Sequence, residues 1–171
     1  MPHIIITPLS RLTEIVEAHK AERVLTLING ATKVERPATI AEGKHLFLGF
    51  SDIIEPQEGL VAPAEFHVHE ILRFASEWDQ CAPMVVHCYA GVSRSTAGAY
   101  MSAIHLHPEL DELALAQELR RRSPSATPNI RLIGFADDIL GRKGRMVDAI
   151  NSIGRGADCF ENVPFILPLK L

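Results

Sequence analysis

Residues His87–Ser95 read HCYAGVSRS and join two apolar runs of different character. The run before this stretch, PMVVH at 83–87, is short and β-branched, which is typical of a buried strand. The run after it, TAGAYMSAI at 96–104, is rich in small apolar residues, which is typical of a buried helix. A strand, a tight loop and a helix N-terminus in that order form an anion site, because loop amides and the helix dipole supply positive potential. The pattern predicts that this loop binds a phosphate group.

The side chains of this loop suit the cleavage of a phosphate ester. Amides and a helix N-terminus favour the thiolate of Cys88, which can attack phosphorus as a nucleophile. Arg94 offers a planar fork that matches two phosphate oxygens better than a lysine would. Ser95 is placed to donate a hydrogen bond to the cysteine sulfur and to ease its departure in a second step. Gly91 allows the tight bend of the loop, and His87 is expected to hold the loop from behind.

The stretch His87–Ser95 resembles the signature of the Cys-dependent protein tyrosine phosphatase superfamily, His-Cys-x5-Arg-Ser/Thr, and AGVSRS is most similar to the dual-specificity branch and its bacterial relatives. The pair Pro128-Asn129 is similar to a Pro-Asn pair that dual-specificity enzymes often carry before a late helix. The resemblance implies a tyrosine-phosphatase-like α/β fold and hydrolysis through a phosphocysteine, without a metal or other cofactor. It also implies that phosphate oxygens bind backbone amides of the loop, from Tyr89, Ala90, Gly91, Val92, Ser93 and Arg94.

A thiolate mechanism needs an acid that protonates the leaving oxygen. The acidic residues Asp52, Glu55 and Glu58 lie in the loop that follows a predicted strand at 45–50. Asp52 is preferred because it follows this strand directly and because its sequence distance from Cys88 is similar to that of the acid in the superfamily. The surrounding sequence FSDI departs from the Trp-Pro-Asp form of the larger tyrosine phosphatases, and Glu55 stays open as the rival.

The rest of the sequence alternates strand and helix patterns. This alternation predicts an α/β domain with a mainly parallel central sheet flanked by helices. We expect one catalytic domain over 1–153, with Ser10 as the N-cap of its first helix. The segment 154–171 starts glycine-rich and becomes apolar, and its two prolines argue against a helix or a central strand. We expect this segment to pack on the domain, or to form an interface with a partner or a second copy.

Composition limits the classes of partner. The length of 171 residues suits a single domain, and a hydrophobic fraction of 47% is typical of a globular protein. The formal net charge of −4 gives no reason to expect nucleic acid or an anionic membrane as a partner. The sequence shows no membrane-spanning run and no signal-peptide pattern. Three widely spaced cysteines favour a reducing compartment, and we therefore expect a cytoplasmic location.

Several functions stay open beside the leading hypothesis, which is a phosphatase that acts on phosphotyrosine and also on phosphoserine or phosphothreonine in proteins. A phosphoinositide, an inositol phosphate or an RNA 5′ phosphate is a second substrate class, although Ala90 and Val92 occupy positions where lipid-type relatives often carry lysine. A pseudophosphatase would bind phosphorylated ligands without needing a nucleophile such as Cys88. A thiol-redox or sulfur-transfer enzyme would need neither Asp52 nor Ser95.

The histidine pairs at 67 and 69 and at 105 and 107 lack ligand partners at helical spacing, so no metal site is expected.

Overall fold

The computed structural model describes all of residues 1–171, in which strands and helices are interspersed up to Cys88 and four helices then follow one another from Arg94 to Ile153. The elements in chain order are β1 (His3–Pro8), α1 (Leu12–His19), β2 (Arg23–Ile28), β3 (His45–Gly49), α2 (Glu65–Ser76), β4 (Met84–Cys88), α3 (Arg94–Leu106), α4 (Glu112–Arg122), α5 (Ile130–Ile139), α6 (Arg145–Ile153) and β5 (Phe165–Pro168). None of these helices has both the length and the apolar character that crossing a membrane requires.

The strands form one sheet in the order β3-β2-β4-β1-β5. The pairs β2–β3, β2–β4 and β1–β4 are parallel, and only β5 runs antiparallel to its neighbour β1. The predicted mainly parallel sheet is therefore confirmed. Every residue of β2 and β4 is buried, because helices cover both faces of a parallel sheet. This burial explains why these strands are mainly apolar, with Arg23, Thr26 and His87 as their polar exceptions.

Helices pack on both faces of the sheet. On one face α1 places Leu12, Ile15 and Val16 against the strands. On the other face α3 lies at the centre, and all its residues from Arg94 to Ile104 are buried. This close packing needs small residues, since a Cβ added at Gly98 would lie 2.6 Å from the Leu27 side chain of β2.

The first helix begins later than the sequence suggested. Ser10 lies in a short 3-10 turn, Leu9–Arg11, and Arg11 occupies the N-cap position of α1 without a side-chain cap. The prediction that Ser10 caps this helix is wrong, because its hydroxyl serves another partner. Ser10 Oγ donates to the carboxylate of Glu161, at 2.9 Å from both oxygens, and so connects the start of the chain to the C-terminal segment.

The C-terminal segment 154–171 runs back over the domain and ends at the sheet. Its residues Phe165–Pro168 form β5, which pairs with β1 at one edge of the sheet. Proline is tolerated at such an edge because one side of the strand makes no ladder bonds. Leu167 and Leu169 of this segment are fully buried, while Phe160 and Val163 are exposed.

Candidate active site

The sequence-predicted site residues lie together at one edge of the sheet. Cys88 is the last residue of β4 and Asp52 lies shortly after β3; Asn29, which was not among the predicted residues, directly follows β2 at the same edge. In a parallel sheet the carboxyl ends of neighbouring strands meet at the same edge, where ligands bind. The loop 89–93 connects Cys88 to the N-terminus of α3 at this edge.

The sulfur of Cys88 lies at the base of this loop and is almost fully enclosed, with 2% of the residue exposed. Its Sγ lies 3.1 Å from Ser95 Oγ, and the amide of Gly91 donates to it at 3.3 Å. A thiolate at this position would accept hydrogen bonds from both groups, which stabilise its negative charge.

The bend of the loop requires glycine at position 91. Gly91 has a φ of +73°, a left-handed conformation that strains other residues. It also packs directly against the end of β1, because an added Cβ would lie 2.9 Å from the nitrogen of Pro8.

Six consecutive carbonyl groups, from Cys88 to Ser93, accept hydrogen bonds from groups outside the loop turn. The donors, in order along the loop, are His87 Nδ1, the amide of Leu9, the amide of Asn162, Asn162 Nδ2, the amide of Thr127 and the amide of Asn129. In a planar trans peptide the N–H points opposite to the C=O, so the amides of residues 89–94 face the other way, toward the sulfur side. The amides of Ala90, Val92 and Ser93 donate to no protein group and are available to an anion.

The guanidinium of Arg94 is buried beside this loop and only one of its nitrogens is engaged. Nη1 donates to Asn29 Oδ1 at 2.6 Å and to the carbonyl of Phe50 at 2.9 Å. The buried Nε has no hydrogen-bond partner, although Arg94 is only 7% exposed. A buried donor without a partner is costly, and the free edge of the guanidinium suits the two oxygens of a phosphate.

Asp52 is hydrogen-bonded to the same loop. Its Oδ1 accepts from Ser93 Oγ at 2.7 Å and from Asn129 Nδ2 at 2.9 Å. Asn129 also donates to the carbonyl of Ile53 and caps α5 through Leu132, so it connects the acid loop to a helix end. The rival Glu55 is exposed and makes no hydrogen bond to the loop.

His87 supports the loop from within the sheet. Its Nδ1 lies 3.1 Å from the carbonyl of Cys88, and its Nε2 lies 2.7 Å from Thr26 Oγ1, which also contacts His45 at 2.8 Å. A carbonyl can only accept, so Nδ1 carries the proton and Nε2 accepts from the threonine hydroxyl. Burial lowers the pKa of His87 to about 4, and the positive charges of His45 and Arg94 act in the same direction. The imidazole is therefore neutral at physiological pH.

A groove of about 490 Å³ opens beside Asp52 and Ser93. Ile54, Pro128 and Ile150 form part of its apolar lining, and Arg155 provides its one cationic group. No three histidine, cysteine, aspartate or glutamate side chains lie close enough together to hold a metal ion, in this groove or elsewhere.

Sequence reasoning missed three residues of this site. Asn29 stands before Gly30 in a pair that is typical of turns, Ser93 was expected to contribute only its amide, and Asn162 lies in a segment without a motif. Each acts through a polar side chain that reaches a distant part of the chain, to Arg94, Asp52 and Gly91 respectively. The Asn29-Gly30 pair did not indicate a contact with an arginine, because a turn alone accounts for an Asn-Gly pair in a sequence.

The fold is similar to that of solved tyrosine and dual-specificity phosphatases. PTP-2 phosphatase of Cydia pomonella is 15% identical, with a TM-score of 0.62 over 79% of this chain and 84% of that chain. DUSP15 is 14% identical, with a TM-score of 0.62 over 90% of this chain and 91% of that chain. PTPMT1, solved in complex with PI(5)P, is 17% identical, with a TM-score of 0.60 over 82% of this chain and 94% of that chain. The predicted tyrosine-phosphatase-like α/β fold is therefore confirmed.

Comparison of the sequence with protein-family models finds no match, and comparison with curated proteins finds none either.

Replacement of Gly91 by alanine should destabilise the protein, because the new Cβ meets the backbone of β1 at a left-handed position. We expect a loss of about 1–3 kcal/mol in the free energy of unfolding, measured by urea denaturation. Gly134→Ala is the matched control: it lies inside α5 with no atom within 4 Å of an added Cβ, and it should gain about 0.5–1 kcal/mol. Equal stability of the two variants would contradict the close approach of residue 91 to the backbone of β1.

The buried neutral ring of His87 should make the protein sensitive to acid. The pKa of His87 falls from 6.5 to about 4 on folding, so the unfolded chain binds more protons between these values. Stability should therefore fall as the pH drops from about 6.5 toward 4, and His87 should account for roughly 3 kcal/mol of that loss. Urea denaturation of His87→Gln should show a flatter dependence on pH, because glutamine does not ionise. If the free energy of unfolding depended on pH in the same way in the wild type and the variant, the pKa of His87 would not be lowered on folding.

Proposed function

We propose that this protein hydrolyses phosphomonoesters through a phosphocysteine on Cys88, and that its substrates are phosphorylated proteins. One observation carries this proposal. The loop that follows Cys88 carries amides without protein acceptors and a buried Arg94 with a free edge, and the carboxylate of Asp52 is hydrogen-bonded to the same loop. Hydrogen-bond donors for a phosphate, a nucleophile and an acid are therefore all associated with this one loop.

The first step transfers the phosphoryl group to the protein. Cys88 Sγ attacks phosphorus, the bond to the leaving oxygen breaks, and Asp52 gives that oxygen a proton. The amides of residues 89–94 and the guanidinium of Arg94 bind the three equatorial oxygens as their charge redistributes. The hydrogen bond from Ser93 Oγ and that from Asn129 Nδ2 both reach Asp52 Oδ1, which leaves Oδ2 without a protein partner and suited to carry the proton.

The second step releases phosphate and restores the thiolate. Asp52, now ionised, accepts a proton from a water molecule that attacks phosphorus, and the bond between phosphorus and Cys88 Sγ breaks. Ser95 Oγ, at 3.1 Å from Sγ, donates to the departing sulfur and lowers the energy of its negative charge.

The charge of the site supports phosphoprotein as the substrate class. Arg94 is the only basic side chain of the loop and Arg155 the only one that lines the adjoining groove, so few cationic side chains are available to the extra phosphates of a polyphosphorylated headgroup. The groove beside Asp52 offers room for the residues that flank a phosphorylated side chain. A thiolate nucleophile is oxidised easily, which supports the expected reducing, cytoplasmic location.

Hydrolysis of a chromogenic aryl phosphate in the presence of a chelator tests the mechanism. We expect Cys88→Ser to abolish turnover and Asp52→Asn to lower kcat by about 10²-fold or more, because the leaving oxygen then departs without a proton. Glu55→Gln is the matched control on the same loop and should keep the wild-type kcat. Turnover that survives Cys88→Ser rejects the phosphocysteine, and a loss in Glu55→Gln without one in Asp52→Asn moves the acid to Glu55.

A substrate panel tests the proposed class. We expect kcat/KM to be highest for phosphotyrosine peptides, lower for phosphoserine and phosphothreonine peptides, and lowest for phosphoinositide headgroups, because Arg94 is the only basic side chain of the loop. PTPMT1 has a similar fold and was solved in complex with PI(5)P, so a phosphoinositide headgroup is the informative substrate to compare with the phosphopeptides. Preference for phosphoinositides by 10-fold or more in kcat/KM would replace the protein substrate with a lipid one.

A further inference from the structure

We propose that Asn162 is a positioning residue of the phosphate-binding loop, and that the C-terminal segment 154–171 is therefore part of the active site. The effect on turnover rests on the proposed function, whereas the effect on phosphate binding does not. Asn162 is 8% exposed, although its neighbours Glu161 and Val163 are exposed to solvent. Its backbone amide donates to the carbonyl of Ala90 at 2.8 Å, and its Nδ2 donates to the carbonyl of Gly91 at 3.0 Å.

These two bonds fix two consecutive peptide groups. The carbonyl of Ala90 belongs to the same planar peptide as the amide of Gly91, which donates to Cys88 Sγ at 3.3 Å. The carbonyl of Gly91 belongs to the same peptide as the amide of Val92, which has no protein acceptor and faces the anion side. Asn162 therefore fixes the 90–91 peptide, whose amide donates to the nucleophile, and the 91–92 peptide, whose amide is available to the phosphate.

The loop needs such an external contact at this point. Gly91 is the residue of the loop with the widest range of accessible backbone angles, so the peptides on either side of it rotate most easily. Rotation of the 91–92 peptide would turn a carbonyl toward the phosphate in place of an amide, and the two oxygens would repel each other. The side chain of Asn162 opposes this rotation by binding the carbonyl on the outer side.

Asn162 is itself held in place. Its Nδ2 also donates to the buried Ser123 Oγ at 2.7 Å, at the end of α4. Before it, the amide of Ala157 donates to the carbonyl of Pro124, and Gly156 packs so closely that an added Cβ would lie 2.6 Å from the backbone of Ser125. After it, β5 pairs with β1. The segment therefore reaches the loop from anchored positions on both sides.

The test compares Asn162→Ala with Ser10→Ala, which removes the contact of Ser10 with Glu161 in the same segment but touches no loop atom. Two quantities are measured: binding of inorganic phosphate by calorimetry in the Cys88→Ser background, and kcat and KM for an aryl phosphate. In Asn162→Ala we expect phosphate to bind about 10-fold more weakly and kcat/KM to fall at least as much, as loss of one positioning hydrogen bond to a charged site implies. Ser10→Ala should match the parent protein in both.

The outcomes separate this proposal from the proposed function. Unchanged phosphate binding in Asn162→Ala overturns the positioning role, including when the melting temperature falls, since a purely structural contact would lower stability alone. Weaker phosphate binding in a protein that never turns over aryl phosphate would support the positioning role and reject the phosphatase. Should Asn162→Ala fail to fold, Ser123→Ala removes the group that fixes Nδ2, and it should weaken phosphate binding in the same direction; unchanged binding there would equally overturn the role.

Discussion

The planarity of the peptide group is the constraint on which the site depends. A loop can turn a row of amides toward an anion only if it turns the matching carbonyls away, and each of those carbonyls then needs a donor on the outer side. The chain meets this need with parts that lie far apart in sequence: the turn after β1, the connection before α5, and the C-terminal segment. Separate parts of the domain thus supply the hydrogen-bond donors that the carbonyls of this one loop require.

The charged and neutral side chains around the loop also lie on different sides of it. Arg94 is buried with a free edge, while the histidine behind the loop is kept neutral by burial. The positive charge of the loop is therefore that of Arg94, on the side where the amides point. Asp52 lies at the exposed rim, where two hydrogen bonds fix its direction.

Local patterns in the sequence predicted the strand, loop and helix around Cys88 and the parallel sheet, because hydrophobic periodicity and glycine positions are local properties. The placement of Asp52 after β3 was also accessible, since parallel strands end at one edge. The contacts of Asn29, Ser10 and Asn162 were not accessible. Each is a small polar residue whose partner is set by tertiary packing, and each has an ordinary local explanation as a turn, a cap or a loop residue.

The position of Asn162 in the chain has a consequence for biosynthesis. A ribosome completes the loop at 88–94 long before it adds residue 162, so the nascent chain can form β4 and α3 while two of the loop carbonyls still lack their outer donors. During that interval water must solvate these carbonyls, and the loop can sample other peptide orientations. Binding competence should therefore arise only after the segment 154–171 has been synthesised and its donors reach the loop carbonyls.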